Sequence, residues 1–146
     1  MKKSYLVNLL DEIFYPIGFI RKGNNWTYIG SELIKIVNLQ KSNFSNSYYI
    51  NYGFIIPELI LTTKMHVENR LAGFDKKEQE RITELLNFES MINEDQRESE
   101  LKLIVINKIK IKIQTIDSLN DLKRELKKRQ HLNDIPIVVK SYLNLE

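Results

Sequence analysis

The two histidines, His66 and His131, are the side chains of this chain that could transfer protons or bind a metal near neutral pH. Either chemistry needs convergent partners, and His66 has only Glu68 and Arg70 close to it in sequence. A histidine that hydrogen-bonds to a carboxylate or to the backbone is the more common arrangement. We therefore expect a structural role for His66, and a hydrolase site around it is the third of our three hypotheses.

Other catalytic signatures are absent from the sequence. There is no cysteine, which excludes thiolate metal sites and a cysteine nucleophile. Ser42, Ser45 and Ser47 have no glycine-flanked nucleophile elbow around them. Gly23 and Gly30 are isolated and do not form a phosphate-binding loop. We expect a non-enzymatic protein that carries no cofactor and no metal.

Polar side chains interrupt the segments that we predict to be strands. Asn38, Gln40 and Asn51 stand among β-branched and aromatic residues, where amides are disfavoured, so a hydrogen-bonding role is indicated. Together with Lys41, they either satisfy neighbouring backbone groups, which we favour, or line a recognition face for another protein. Burial distinguishes the two, because buried and satisfied side chains are scaffold. The candidate binding residues are Trp26, Asn38, Gln40, Lys41, Asn51, His66 and Arg70.

A basic stretch at residues 123–129 suggests a second hypothesis, a small nucleic-acid-associated protein. Its lysines and arginines could contact phosphates, and aromatic residues such as Tyr48 and Tyr49 could stack on bases. The net charge is only +3, and lysines on amphipathic helices usually serve solubility. Nucleic acid is therefore the less favoured partner.

Periodicity predicts an α+β fold in which an antiparallel sheet packs against helices. Apolar residues at helical spacing in residues 6–14 predict an N-terminal helix, which Pro16 and Gly18 end. The sheet is predicted to have three to five strands within about residues 19–62, and three to four C-terminal helices follow. The strands are predicted at residues 25–29, 33–40 and 48–56, with residues 59–61 as a further edge strand. In the third strand, alternation predicts one face on the core and a wetter face that includes Asn51.

Residues 93–116 fit two structures. Residues 109–113 alternate isoleucine and lysine as a strand would, whereas Leu101, Val105 and Ile109 share one face of a helix. Acidic residues at the start and lysines later suit a helix dipole, so we favour a helix. The charges of residues 75–100 alternate in sign, with Arg97 among them, and predict a solvated helix surface.

The 146 residues are a usual length for one domain, and we see no linker or repeat. Residues 1–146 are therefore predicted to form a single α+β domain. No segment approaches the roughly 20 apolar residues that span a bilayer. The lack of cysteine suits a reducing compartment. We expect a cytoplasmic protein that does not bind a membrane.

Several short motifs follow one another within residues 6–71. They are Pro16-x-Gly18-Phe19-x-Arg21-Lys22, Asn25-Trp26-x-Tyr28, IVNLQKS at residues 36–42, Tyr49-Ile50-Asn51-x-Gly53 and His66-Val67-x-x-Arg70-Leu71. The order of these motifs resembles domain-of-unknown-function family 4304, found mainly in bacteria. The resemblance implies helices packed against an antiparallel sheet, and it favours a helix for residues 93–116. It implies no activity and supplies no catalytic residues.

The leading hypothesis is a non-enzymatic protein-binding module, in the form of a bacterial immunity protein that neutralises a toxin by direct contact. Small single-domain bacterial proteins are often of this kind, which is an argument by analogy. It also fits the missing reaction motifs, because a neutraliser needs only a complementary surface with anchor residues. The expected partner is a toxin-like protein.

Overall fold

A computed structural model describes residues 2–145 of the chain. The N-terminal helix α1 (Lys2–Phe14) buries the predicted apolar stripe against the rest of the fold. A 3-10 turn (Tyr15–Ile17) that contains Pro16 follows it. Gly18 ends this turn with a φ of 95°, a left-handed conformation that glycine adopts readily. The chain then enters the sheet.

Five antiparallel strands form one sheet, and their order in space is their order in the chain. This confirms the predicted α+β class. The edge strand predicted at residues 59–61 is wrong, because these residues lie in a loop in which Ile60 is 85% exposed. Residues 20–22, which lie outside the strands predicted above, form the first strand. The strands are β1 (Ile20–Lys22), β2 (Asn25–Ile29), β3 (Ile34–Lys41), β4 (Tyr48–Ile55) and β5 (Val67–Arg70).

The two faces of the sheet differ in what covers them. The inner face packs on the helices through buried residues such as Trp26, Val37 and Ile50. The outer face was expected to be wetter, yet Asn38 and Asn51 in its centre are 4% and 1% exposed. Along each strand, Asn38 and Asn51 alternate with inner-face residues, so they lie on the side of the sheet that faces away from the helices. The centre of the outer face is therefore buried, and its exposed side chains lie near the two edge strands.

The segment at residues 93–116 is helical, as its charge pattern favoured. Its buried residues recur every fourth position, and in an α-helix such a stripe drifts by roughly 40° per step. A π-helical segment with wider turns brings the stripe back to the core. The continuous helix consists of α3 (Glu94–Val105), the π segment (Ile106–Lys110) and α4 (Ile111–Gln114). The buried positions are Leu101, Val105, Ile109 and Ile113.

Arg97 corrects the prediction of a solvated surface for residues 75–100. It lies on α3 with 1% of its surface exposed, and its guanidinium donates to the backbone carbonyls of Leu85, Asn87 and Ser90. These carbonyls lie at the C-terminal end of α2 (Lys76–Leu85) and just beyond it, where helix carbonyls have no intrahelical partners. Charge alternation could not reveal this burial, because the partners of Arg97 are backbone groups.

Particular residues mark the starts of the remaining helices. The Asp75 side chain accepts a hydrogen bond from the Glu78 amide at the start of α2. Ser118 and Asp121 form a reciprocal capping box at the start of α5 (Leu119–Leu126). The last helix, α6 (Ile137–Tyr142), follows a proline. Among the residues that the structure describes, no helix combines the length and the apolar character needed to cross a membrane.

Candidate functional site

A row of polar residues crosses the outer face of the sheet, with one residue from each strand. Residues that pair directly across antiparallel strands lie side by side on one face, where their side chains can interact. The sheet register therefore collects side chains that are far apart in sequence. The pairs are Lys22 with Asn25, Asn25 with Asn38, Asn38 with Asn51, and Asn51 with Arg70.

Hydrogen bonds join the amides of this row head to tail. Asn51 donates from Nδ2 to Oδ1 of Asn38 over 3.1 Å, and Asn38 donates from Nδ2 to Oδ1 of Asn25 over 2.8 Å. Arg70 donates from Nε to Oδ1 of Asn51 over 3.1 Å. Each central amide thus uses its oxygen and its nitrogen in opposite directions, which fixes its orientation. We call Asn25, Asn38, Gln40, Asn51 and Arg70 the amide ladder.

The ladder reaches solvent at a cluster formed by Gln40, Tyr49 and Arg70, here called the exposed end. Gln40 Oε1 accepts from Nδ2 of Asn51 over 2.9 Å and from Nη2 of Arg70 over 3.1 Å. The Arg70 guanidinium lies 3.9 Å from the centroid of the Tyr49 ring, a cation–π distance. Arg70 is exposed, while the amide that holds it is buried. A cation is thus presented to solvent in one fixed orientation.

The exposed end leaves one edge of the guanidinium available. The ladder engages Nε and Nη2 of Arg70, which are the side edge of the planar group. Within residues 2–145, no carboxylate pairs with Arg70 and no acceptor for Nη1 is found. The Nη1–Nη2 edge can therefore donate two parallel hydrogen bonds to a carboxylate, the bidentate geometry for which arginine is best suited.

A cleft of about 380 Å³ lies next to the exposed end. It is formed by β5, the loop between β3 and β4, and one face of α2. Hydroxyl and amide groups contribute much of its surface, so the cleft can offer both donors and acceptors. Its lining residues are Ser45, Ser47, Tyr48, Tyr49, Arg70, Leu71, Gln79, Ile82, Thr83 and Leu86.

The loop between β3 and β4 is held in place from two sides. The Tyr48 amide donates to the carbonyl of Leu86 over 3.0 Å, and the Phe88 amide donates to the carbonyl of Asn46 over 3.0 Å. These bonds attach the loop to the segment at the end of α2. Arg97 holds the same segment through hydrogen bonds to the carbonyls of Leu85 and Asn87. The buried arginine therefore positions one wall of the cleft.

A family model described as "Domain of unknown function (DUF4304)" matches residues 10–135. The chain belongs to the DUF4304 family. This confirms the resemblance read from residues 6–71, and the match includes the whole amide ladder of this DUF4304 chain. Neither the search of curated proteins nor the search of solved structures gave a match. The description of the DUF4304 family assigns no activity, so the function must be argued from geometry.

Two of the predicted binding residues of the DUF4304 chain have internal partners. Trp26 is fully buried, and its Nε1 donates to Oδ1 of Asp11 on α1 over 2.8 Å. This bond connects the first helix to β2 of the sheet. Lys41 donates from Nζ to the carbonyl of Ser45 over 3.0 Å and so closes the loop between β3 and β4. The structure separates both residues from the hydrogen bonds of the ladder.

His66 lies on the chain segment that leads into β5 of this DUF4304 chain. Its Nδ1 accepts from the amide of Ile56 over 2.9 Å, and its Nε2 lies 3.0 Å from the carbonyl oxygen of Ile60. An imidazole that accepts at Nδ1 can donate at Nε2, so both ring nitrogens have backbone partners. This arrangement closes the loop of residues 56–66 and agrees with the structural role that we favoured.

The basic stretch of the DUF4304 chain is divided among several ion pairs. Arg124 pairs with Asp121 at 3.2 Å, and Arg129 pairs with Asp134 at 3.0 Å. Lys128 lies 3.5 Å from Glu125. Because α5 ends at Leu126, the last three basic residues follow the helix in turns and do not extend one helical face.

Sequence reasoning missed two members of the site. Both residues belong to the motifs that carry the family resemblance, but the sequence predicts no binding role for Asn25 and only base stacking for Tyr49. The short turn at Gly23 and Asn24 was a usable signal, because a two-residue turn places Lys22 opposite Asn25. Tyr49 had no such signal, since its partner Arg70 belongs to a strand whose position was mispredicted.

Proposed function

We propose that the protein is a non-enzymatic cytoplasmic module that binds another protein through the exposed end and the adjoining cleft. The observation that carries the proposal is the fixation of Arg70. Hydrogen bonds to Asn51 and Gln40 and the face of Tyr49 hold its guanidinium in one orientation. A preorganised arginine loses less side-chain entropy on binding than a mobile one.

The composition of this surface agrees with protein recognition. Tyrosine and arginine are enriched among the residues that dominate binding energy at protein interfaces. Phe44 and Phe74 are 96% and 93% exposed. Phe44 lies in the loop that contributes Ser45 to the cleft lining, and Phe74 lies in the chain between Leu71 and Gln79, which also line the cleft. Single exposed apolar residues are common, but these two lie close in sequence to lining residues of the cleft, and we propose them as anchor groups for a partner that is bound at Arg70.

The partner that fits this surface presents a carboxylate for Arg70 and apolar groups for the flanking phenylalanines. We propose a toxin-like protein that is blocked by direct contact, which makes the protein an immunity protein. The analogy with small bacterial neutralising proteins supports this partner class, and the exposed end supplies the contact surface that neutralisation needs.

The test is co-expression with the product of the neighbouring gene, read out as growth and as recovery of the complex on affinity purification. The parent protein is expected to restore growth and to retain the partner. Arg70→Ala and Tyr49→Ala should lose both, by about tenfold or more in affinity. Lys123→Ala, which removes a cation on α5, is the matched control and should behave as the parent. Growth that does not depend on the protein, or binding that ignores the Arg70 substitution, would contradict the proposal.

A further inference from the structure

A second cavity, of about 280 Å³, lies on the opposite face of the sheet from the amide ladder. One wall comes from β4 and β5, and the other comes from α4 and α5. Asn69 lines this cavity, whereas its neighbour Arg70 belongs to the exposed end. Because successive strand residues point to opposite faces, the two sites are separated by the thickness of the sheet. We call this space the inner cavity.

The floor of the inner cavity is apolar. Phe54, Val67, Ile113 and Leu122 line it, and each is at most 3% exposed. A cavity lined by such side chains offers no hydrogen-bond partners on its floor, and apolar cavities of this kind bind apolar molecules in place of water. Its volume is close to the lower limit of small-molecule sites, which begin at roughly 300 Å³. The occupant must therefore have a small apolar body.

The rim of the inner cavity is cationic. Lys112, Lys128 and Arg129 line it together with a single carboxylate, Glu125. Glu125 is shared, because Lys112 lies 2.9 Å from one of its oxygens and Lys128 lies 3.5 Å from the other. One carboxylate thus faces two lysines, and the rim retains an excess of positive charge.

Arg129 completes the rim at the side nearest the sheet. It donates from Nη2 to Oδ1 of Asn69 over 2.6 Å and from Nη1 to Asp134 over 3.0 Å. These bonds place a guanidinium at the mouth of an apolar cavity, next to the exposed Lys128. An anionic group at this mouth would meet both cations while its attached body rests on the floor.

We propose that the inner cavity binds a small amphiphilic anion, a molecule with one carboxylate and a short aliphatic or monocyclic body. The apolar floor selects the body, and the excess cationic charge of the rim selects the carboxylate. This site is independent of the protein-binding surface, because the two use different residues on different faces of the sheet.

The experiment uses octanoate as the probe, with octan-1-ol and acetate as matched controls for charge and for body. Binding is followed by NMR on the methyl groups of Val67, Ile113 and Leu122 and by calorimetry on the full chain. Octanoate should shift these methyl resonances saturably. The affinity for octan-1-ol should be lower by about tenfold or more, since the alcohol cannot form the charge-assisted bond. Acetate should shift none of these methyl resonances.

Two charge variants and one filling variant test the assignment. Lys128→Gln and Arg129→Gln should each weaken octanoate binding about tenfold, whereas Lys123→Gln, on α5 but outside the cavity lining, should not. Ile113→Phe should abolish binding by occupying the floor. If near-ultraviolet circular dichroism shows that Ile113→Phe is misfolded, the Lys128 variant decides, because its exposed side chain is not needed for folding. Equal affinity for octanoate and octan-1-ol, no saturable shift, or parent-like binding by both charge variants would overturn the proposal.

Discussion

Arg70 donates from Nε to Oδ1 of Asn51 over 3.1 Å, so an exposed cation is anchored on an amide that is 1% exposed. This bond connects the proposed binding surface to the buried centre of the amide ladder. Asn51 in turn donates to Asn38 and Gln40. The orientation of Arg70 therefore depends on a hydrogen-bonded chain that extends across three strands.

Asn51→Ala should lower the free energy of unfolding by about 2 kcal/mol, because it leaves Oδ1 of the buried Asn38 and Nε of Arg70 without their hydrogen-bond partner. Chemical denaturation of the variant and the parent measures this loss. Asn25→Ala, at the half-buried end of the ladder, removes a single bond and should cost less than half as much. Equal losses for the two variants would show that the ladder is not centred on Asn51.

Gly53→Ala should destabilise the protein by about 2 kcal/mol or more. A Cβ at Gly53 would overlap the carbonyl oxygen of Val67 and would lie 2.8 Å from Sδ of Met65. Gly23→Ala is the control, because Gly23 has a φ of 64° but nothing within 4 Å of its would-be Cβ. It should cost only about 1 kcal/mol of backbone strain. Thermal or denaturant unfolding of both variants would test this difference.

Arg97→Met should cost about 3 kcal/mol, since it leaves the last carbonyls of α2 and the carbonyl of Ser90 unpaired. Arg97→Lys should restore little, because one ammonium cannot reproduce the planar fork that spans these carbonyls. Arg81→Met removes a partly exposed arginine with carboxylate partners and should cost about 1 kcal/mol or less. A full rescue by lysine would mean that charge alone, and not the fork, holds the segment.

Tyr5 should make stability decrease at alkaline pH. Burial, and then the Glu98 and Glu94 carboxylates, raise the pKa of its hydroxyl from 10.0 to about 12. Since the folded pKa is above the unfolded one, the contribution is complete below about pH 10 and is lost as the pH rises toward 12. Ultraviolet titration of tyrosinate should show a late-titrating group that Tyr5→Phe removes. The unfolding free energy of Tyr5→Phe should also decrease less steeply over this range.

The sequence was sufficient for the features that depend on near neighbours. Apolar spacing located α1, and strand-forming residues located β2, β3 and β4 to within one residue of their observed bounds. The amides in β3 and β4 were predicted to form hydrogen bonds, because an amide in a strand differs from its neighbours, although their partners are side chains and not the backbone groups that we favoured. These signals are local, so a single sequence contains them in full.

The features that the sequence could not supply depend on contacts between distant segments. The fifth strand was placed at residues 59–61, whose apolar residues suit a strand, although the chain first closes a loop through His66 and pairs only at Val67–Arg70. Arg97 was predicted to be solvated because its neighbours alternate in charge. Its carbonyl partners are 7 to 13 residues away along the chain, and no pattern in the side chains indicates them.

The lengths of the two edge strands have a consequence for self-association. β1 has three residues and β5 has four, while the central strands β3 and β4 have eight each. The unpaired backbone groups of an edge strand can pair with a strand of another molecule, and short charged edges oppose such pairing. Arg21 and Lys22 on one edge, with Glu68 and Arg70 on the other, supply that charge. The sheet can therefore offer its outer face to a partner while its edges resist growth into stacked aggregates.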